Sequence, residues 1–245
     1  MKSQTLRLVN QLLSGNQDSA WDIVEEALQK GASSLDIYES LLTPAMYYIG
    51  TLWEKNIVTV ADEHVATTTC DYVLTRYGFY KEMTSESKKE YGKVMLFCLE
   101  EEQHFIGLKM VSLLFEEHGF DTRFLGADLP KEAAEVMAKD WQPDIVALSA
   151  SISYHLDQLP QYVNMLEDLN PKPITLVGGR LIATNHVAST ILEKAKQMPS
   201  LNELNEWLLR YKKGVDIRKL CMMVILIMFI TVTYTINIMT IGTSM

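Results

Sequence analysis

Leu99-Glu100-Glu101-Glu102-Gln103-His104-Phe105-Ile106-Gly107 follows an apolar run, Val94-Met95-Leu96-Phe97-Cys98, and precedes a helical pattern. The run reads as a buried strand, which puts His104 in the turn leaving it. In an open parallel sheet, ligands bind outside the carboxyl ends of the strands. Glu102 stands two residues before His104, and Gly107 three after it. A carboxylate beside an imidazole can hold one ring nitrogen and leave the other for a metal. The same spacing also fits a surface turn with a solvated histidine, because so short a motif matches often.

The residues downstream favour the first reading. From Lys93 onward, strand and helix patterns alternate. Val94 to Leu99 leads into a helix from Phe105 to His118, stopped by Gly119. Thr122 to Leu125 is a second strand, with Gly126-Ala127-Asp128-Leu129-Pro130 as its turn and a helix over Lys131 to Asp140. Ile145 to Ser149 is a third strand, followed by a helix over Leu156 to Leu169. Ile174 to Val177 is a fourth, ending in Gly178-Gly179. Met198 ends a short fifth strand, and Leu201 to Tyr211 forms a helix with Trp207 on its apolar face. Such alternation implies an α/β domain, a parallel sheet covered by helices on both faces. The turns after strands one, three and four then share one edge. They bring Glu102, Gln103, His104 and Gly107 together with the hydroxyls of Ser149 and Ser151, which can orient a polar ligand. Gly178 and Gly179 let another group approach the backbone closely. A dinucleotide fold would place Gly-x-Gly-x-x-Gly after the first strand. Here three consecutive carboxylates stand there, and they repel phosphate.

The N-terminal third is helical. Leu6, Val9, Leu12 and Leu13 form one stripe, and Trp21, Val24, Ala27 and Leu28 a second, begun by Asp18 as a cap. Leu35, Tyr38, Leu41 and Leu42 open a third helix that runs to Trp53 and is kinked or divided at Pro44. A fourth begins near Thr59 and carries Val60, His64, Thr67, Val73, Leu74 and Tyr77. Four helices with short connections make a small bundle. Nine residues after Trp53 comes the pair Glu63-His64. The intervening turn could put all three at one end of the bundle, where a buried core has no use for an unpaired Glu-His pair; the same spacing also fits Trp53 as a core anchor with Glu63 and His64 solvated. Residues 1–83 therefore read as a helical domain, 84–92 as a polar linker, and 93–211 as the sheet domain.

The 245 residues carry a net charge of −9, which argues against nucleic-acid binding. Cys70, Cys98 and Cys221 lack metal-type spacing and suit a reduced, cytoplasmic setting. Residues 212–245 differ from the rest. A basic stretch precedes 22 uncharged residues, Leu220 to Ile241, long enough to cross a bilayer. The tail reads either as an anchor with the preceding domain held cytoplasmic or as a frameshifted end.

Taken together, these residues resemble the cobalamin-binding module of corrinoid proteins. That family has Asp-x-His-x-x-Gly, then Ser-x-Leu, then Gly-Gly, on a flavodoxin-like sheet preceded by a four-helix cap. Leu125 to Pro130 also looks like its second turn. The resemblance implies that His104 replaces the cofactor's own benzimidazole below cobalt. Glu102 stands in place of the usual Asp, one methylene longer. Gly107, Gly178 and Gly179 would leave room for the displaced nucleotide tail, and Ser149 would hydrogen-bond within that pocket. Ser151 replaces the expected Leu and makes that wall more polar.

Trp53 with Glu63-His64 is similar to the pattern of the adenosylcobalamin-dependent photoreceptor regulators. There the Trp covers the upper face, and the Glu and His support that face and the contacts between subunits. Glu54 occupies the place of their light-state histidine, and the cap begins the chain where they carry a DNA-binding domain. The resemblance thus implies a cobalamin-binding sensor without a catalytic centre, acting through a homo-oligomer or a separate regulatory partner, with adenosylcobalamin as the favoured cofactor. The alternative is a corrinoid methyl carrier, holding methylcobalamin and serving separate methyltransferase subunits. A third reading, a flavodoxin-like interaction domain with an empty pocket, stays open on sequence alone.

Overall fold

The computed structural model describes residues 3–84, 90–151, 158–183 and 193–216. Four α-helices come first: α1 (Ser3–Leu13), α2 (Gln17–Gln29), α3 (Thr43–Glu54) and α4 (Val60–Thr84). Asn16, not Asp18, caps α2: its side chain accepts the Ser19 N–H at 3.3 Å, and Asp18 falls in the first turn. The inward face of α1 is rotated from the one expected. Leu8 joins Val9 and Leu12 in the core, and Leu6 is exposed. Pro44 divides the third helix as expected. A π-helical turn, Asp36–Leu42, ends there, and Pro44 opens α3, where its missing N–H costs nothing. Thr59 and Asp62 cap α4 reciprocally, with the Thr59 N–H on Asp62 Oδ2 at 2.8 Å and the Asp62 N–H on Thr59 Oγ1 at 3.2 Å.

The second part is β1 (Lys93–Leu99), α5 (Ile106–Glu117), β2 (Asp121–Leu129), α6 (Lys131–Trp141), β3 (Ile145–Ser149), α7 (Leu159–Glu167), β4 (Ile174–Gly178), the short α8 (Arg180–Ala183) and β5 (Lys196–Met198). The strands form one parallel sheet in the order β2-β1-β3-β4-β5, the flavodoxin-like order, whose switch point lies between β1 and β3. The second strand is longer than expected. Its supposed turn, Gly126 to Leu129, stays paired with β1 through two register shifts. Gly126 (φ 80°) and Asp128 (φ 57°) supply the left-handed backbone that such bulges use. Residues 201–216 are helical; Leu204 and Leu208 are buried, and Trp207 is half-buried against Tyr211. The tail from residue 217 lies outside the described residues. Among those described, no helix is long and apolar enough to cross a membrane.

α5 joins the two parts. Its Met110 and Leu113 belong to the core of the helical bundle. Gly78 on α4 lets it approach, since a Cβ there would meet Leu113 Cδ2 at 2.8 Å. Polar contacts fix both ends of α5. Lys109 holds Asp71 and donates to Thr75 Oγ1 at 2.6 Å. Glu117 accepts from Ser34 and from Tyr38 OH (3.1 Å) and pairs with Lys81 at 3.0 Å, while Tyr77 OH donates to Ser34 at 2.7 Å. Removing one partner of such a network leaves the others underpaired. Glu117→Ala is expected to lower unfolding stability by about 2–3 kcal/mol, read as a lower urea midpoint.

Candidate functional site

Parallel register brings Cys98, Ser149, Gly178 and Met198 into one row at the carboxyl edge of β1, β3, β4 and β5. Each strand leaves the sheet just beyond this row, so the turns that follow meet. The β1 turn starts with the Glu102 N–H on the Leu99 carbonyl at 3.0 Å. Glu101 takes a positive φ of 66°, and its N–H donates to Asp128 Oδ1 at 2.7 Å. Tyr162 on α7 ties the neighbouring backbone, its hydroxyl accepting the Glu100 N–H and donating to the Leu129 carbonyl at 2.8 Å.

This bracing turns the Glu102 side chain inward, where it is fully buried. One carboxylate oxygen lies 2.5 Å from His104 Nδ1 and accepts the His104 backbone N–H at 3.0 Å. The other accepts the Ser151 N–H at 2.8 Å. Burial alone would raise the Glu102 pKa, but the hydrogen bonds from His104 and Ser151 outweigh it and bring it to about 2. The carboxylate in turn raises the pKa of His104 above its ordinary value, against partial burial and the charge of Arg180. With Nδ1 committed to Glu102 and 59% of its side chain exposed, the imidazole has Nε2 available to a ligand. A carboxylate on one ring nitrogen is what commonly orients a metal-bound histidine. The longer Glu side chain spans the gap to His104 and reaches the β3 turn as well.

Two serines stand beside this pair. Ser149 is buried and shares a hydrogen bond with the Cys98 thiol. Ser151 contributes its backbone N–H to Glu102, and its hydroxyl is not part of that bond. Gln103 is exposed, and its carbonyl accepts the Phe105 N–H. Among the described residues, no group of three or more His, Cys, Asp or Glu could hold a metal ion by itself.

Both parts of the chain match known proteins. Residues 92–192 match one B12 binding domain family, and residues 6–77 match a second B12 binding domain family. The chain is a B12-binding protein. It is 25% identical over 173 residues to the HTH-type transcriptional repressor CarH of Myxococcus xanthus, covering 71% of this chain and 56% of that one. It thus spans little more than half the length of that relative. It is 24% identical over 166 residues to trimethylamine corrinoid protein 1 of Methanosarcina acetivorans, covering 67% of this chain and 77% of the relative. The structure of the monomethylamine corrinoid protein of Methanosarcina barkeri has the same fold, with a TM-score of 0.67 at 20% identity over 83% of this chain and 95% of that one.

In this B12-binding protein, the three glycines differ in what the protein itself requires of them. A Cβ on Gly179 (φ 113°) would meet the Ala150 carbonyl oxygen at 2.4 Å, and one on Gly178 would meet the Met198 carbonyl at 3.3 Å. At Gly107 a Cβ would meet nothing within 4 Å, so packing within the chain does not demand glycine there. Trp53 lies at the end of α3 and is 48% exposed. Glu63 and His64 lie in the first turn of α4, at the same end of the bundle. Glu63 accepts from Thr67 at 2.8 Å and pairs with His64 Nδ1 at 3.1 Å. Sequence reasoning missed Asp128, Tyr162 and Arg180. Asp128 lay in the stretch read as a turn similar to the family's second, with no role given to its side chain, and the other two come from distant elements.

Proposed function

We propose that this B12-binding protein is an adenosylcobalamin sensor. His104 would be the lower axial ligand of cobalt, and Trp53 would cover the upper face. The observation that carries this reading is the Glu102–His104 pair, with Nδ1 held and Nε2 free to coordinate. Gly107, Gly178 and Gly179 would accommodate the displaced nucleotide tail. Gly107 supports this best, because its missing side chain leaves open space that the protein does not fill. Ser149 would line the tail pocket, and Ser151 with Gln103 would border it. Bound adenosylcobalamin supplies a cobalt–carbon bond that light can break. Glu63 and His64 would carry the resulting change to a second copy or a regulatory partner, with cytoplasmic domains of net negative charge and no direct contact with nucleic acid. The apolar stretch 220–241 would tether the protein to a membrane if it is an anchor, which fractionation of the full chain tests.

A specific observation favours a second reading, a methyl-carrying corrinoid protein. The match to the trimethylamine corrinoid protein covers more of the relative than the match to CarH does. In that reading methylcobalamin occupies the same site and a methyltransferase subunit is the partner. Reconstitution in the dark with adenosyl- and methylcobalamin separates the two. Preference for the adenosyl form, with a change in oligomeric size on illumination, is the expected result. Preference for methylcobalamin without a light response would overturn the sensor in favour of the carrier.

A further inference from the structure

Two residues with side chains meet in left-handed backbone at the carboxyl edge: Glu101 in the turn after β1 (φ 66°) and Asp128 in the bulged end of β2 (φ 57°). Outside glycine this conformation is uncommon, and it persists only where the surroundings fix it. Aspartate is also a poor strand residue. Asp128 is exposed, so its side chain fills no space in the core, and what it contributes is its hydrogen bonds. Its N–H donates to the Glu102 carbonyl at 3.1 Å, and its carboxylate accepts the Glu101 N–H at 2.7 Å. One residue of β2 thus holds the backbone on both sides of the Glu101–Glu102 peptide. The Tyr162 hydroxyl repeats the tie one residue earlier, between the Glu100 N–H (3.2 Å) and the Leu129 carbonyl (2.8 Å). Beyond this turn the line of bonds continues. The Glu102 carboxylate takes the Ser151 N–H at 2.8 Å, and the Ala150 N–H donates to the Gly178 carbonyl at 3.1 Å. The ends of β2, β1, β3 and β4 are linked in this way across the sheet, and the Glu102–His104 pair stands within the line.

We infer that Asp128 and Tyr162 are positioning residues for His104. By fixing the backbone around Glu101 they set the direction in which the Glu102 side chain leaves the turn, and with it the hold of that carboxylate on the imidazole. The positioning of Glu102 stands on the hydrogen bonds alone; its consequence for cobalamin rests on the proposed site. Amide exchange resolved by NMR in the cofactor-free, full-length protein tests the first part. The His104 and Ser151 N–H groups bond to the Glu102 carboxylate, so they report on Glu102 rather than on the substituted residues. Asp128→Gly suits the left-handed backbone and removes the carboxylate. It should speed exchange of both amides by about three- to tenfold. Tyr162→Phe removes only a hydroxyl and should act in the same direction. Asp128→Asn keeps an acceptor oxygen and should exchange like the unaltered protein. Unchanged exchange in Asp128→Gly and Tyr162→Phe, or Asp128→Asn as fast as Asp128→Gly, would overturn the positioning role. Titration with adenosylcobalamin in the dark tests the second part. Asp128→Gly should weaken binding by about three- to tenfold in the otherwise unaltered protein. In a His104→Ala background it should weaken binding no further, because no ring is left to position. Equal losses in the two backgrounds would show a merely structural part and overturn the link to His104. Failure of the unaltered protein to bind adenosylcobalamin would sink the proposed site and the second part with it, while the exchange data decide the first.

Discussion

Replacing His104 with Ala should abolish nitrogen coordination from below cobalt and weaken cobalamin binding by roughly 100-fold or more. The scale follows from the effect of outer partners, whose loss typically costs about 10–100-fold; loss of the ligand itself should reach or exceed the upper end. Glu102→Ala should fall within that lower range, because the ring would keep its nitrogen and lose only its anchor. The absorption spectrum of bound cobalamin distinguishes the two. His104→Ala should show a spectrum without a lower nitrogen ligand. Glu102→Ala should retain the ligand-bound spectrum at saturating cofactor. An unchanged spectrum in His104→Ala would exclude His104 as the ligand. Folding should survive His104→Ala, since His104 is largely exposed and the sheet core beneath is apolar and buried.

Gly179→Ala should be the most damaging small substitution at the edge. Its φ of 113° is one that side-chain-bearing residues rarely adopt, and the new Cβ would stand 2.4 Å from a backbone oxygen. That oxygen belongs to Ala150, which cannot swing aside as a flexible side chain would. Strain of this kind costs on the order of 1–3 kcal/mol, and the backbone clash adds to it. Relief requires the β3 or β4 turn to move. A shift of the β3 turn carries the Ser151 N–H away from Glu102 Oε2 and loosens the anchor of His104. Gly179→Ala should therefore lose both stability, by about 2–4 kcal/mol, and at least tenfold in cobalamin affinity. Gly107→Ala should leave stability nearly unchanged and weaken cobalamin binding alone. Denaturant titration paired with cobalamin titration reads both. Equal loss of stability in the two variants would contradict the distinction between them.

Much of the fold was legible because the signals are periodic. Alternating apolar runs and helical stripes gave five strands in parallel and a helical domain ahead of them, and Pro44 marked a real division. Glu102, His104 and the double glycine could be placed on one edge because parallel strands all leave the sheet on the same side. What escaped was written in backbone geometry. Ser151 drew notice for its hydroxyl, but it is the N–H that any residue except proline carries which meets Glu102. Gly126 and Asp128 read as an ordinary turn, since left-handed residues serve bulges and turns alike. Asp18 outshone Asn16 as a cap because both residue types suit the position, and only the start of the helix separates them. The pairing of Arg180 with Tyr47 joins elements far apart in the chain, and no local pattern announces it.

Glu102 braces two strand ends with one carboxylate, holding the His104 turn through Oε1 and the Ser151 turn through Oε2. These bonds form when the sheet folds, before any cofactor arrives. In the proposed cobalamin site the His104 side would therefore be preorganised, with little conformational entropy left to lose there on binding. The proposed upper side, with a half-exposed Trp53, has no such carboxylate brace among the described residues. Affinity would then be set from below, while discrimination between upper groups of different size falls to the part of the molecule that can still adjust.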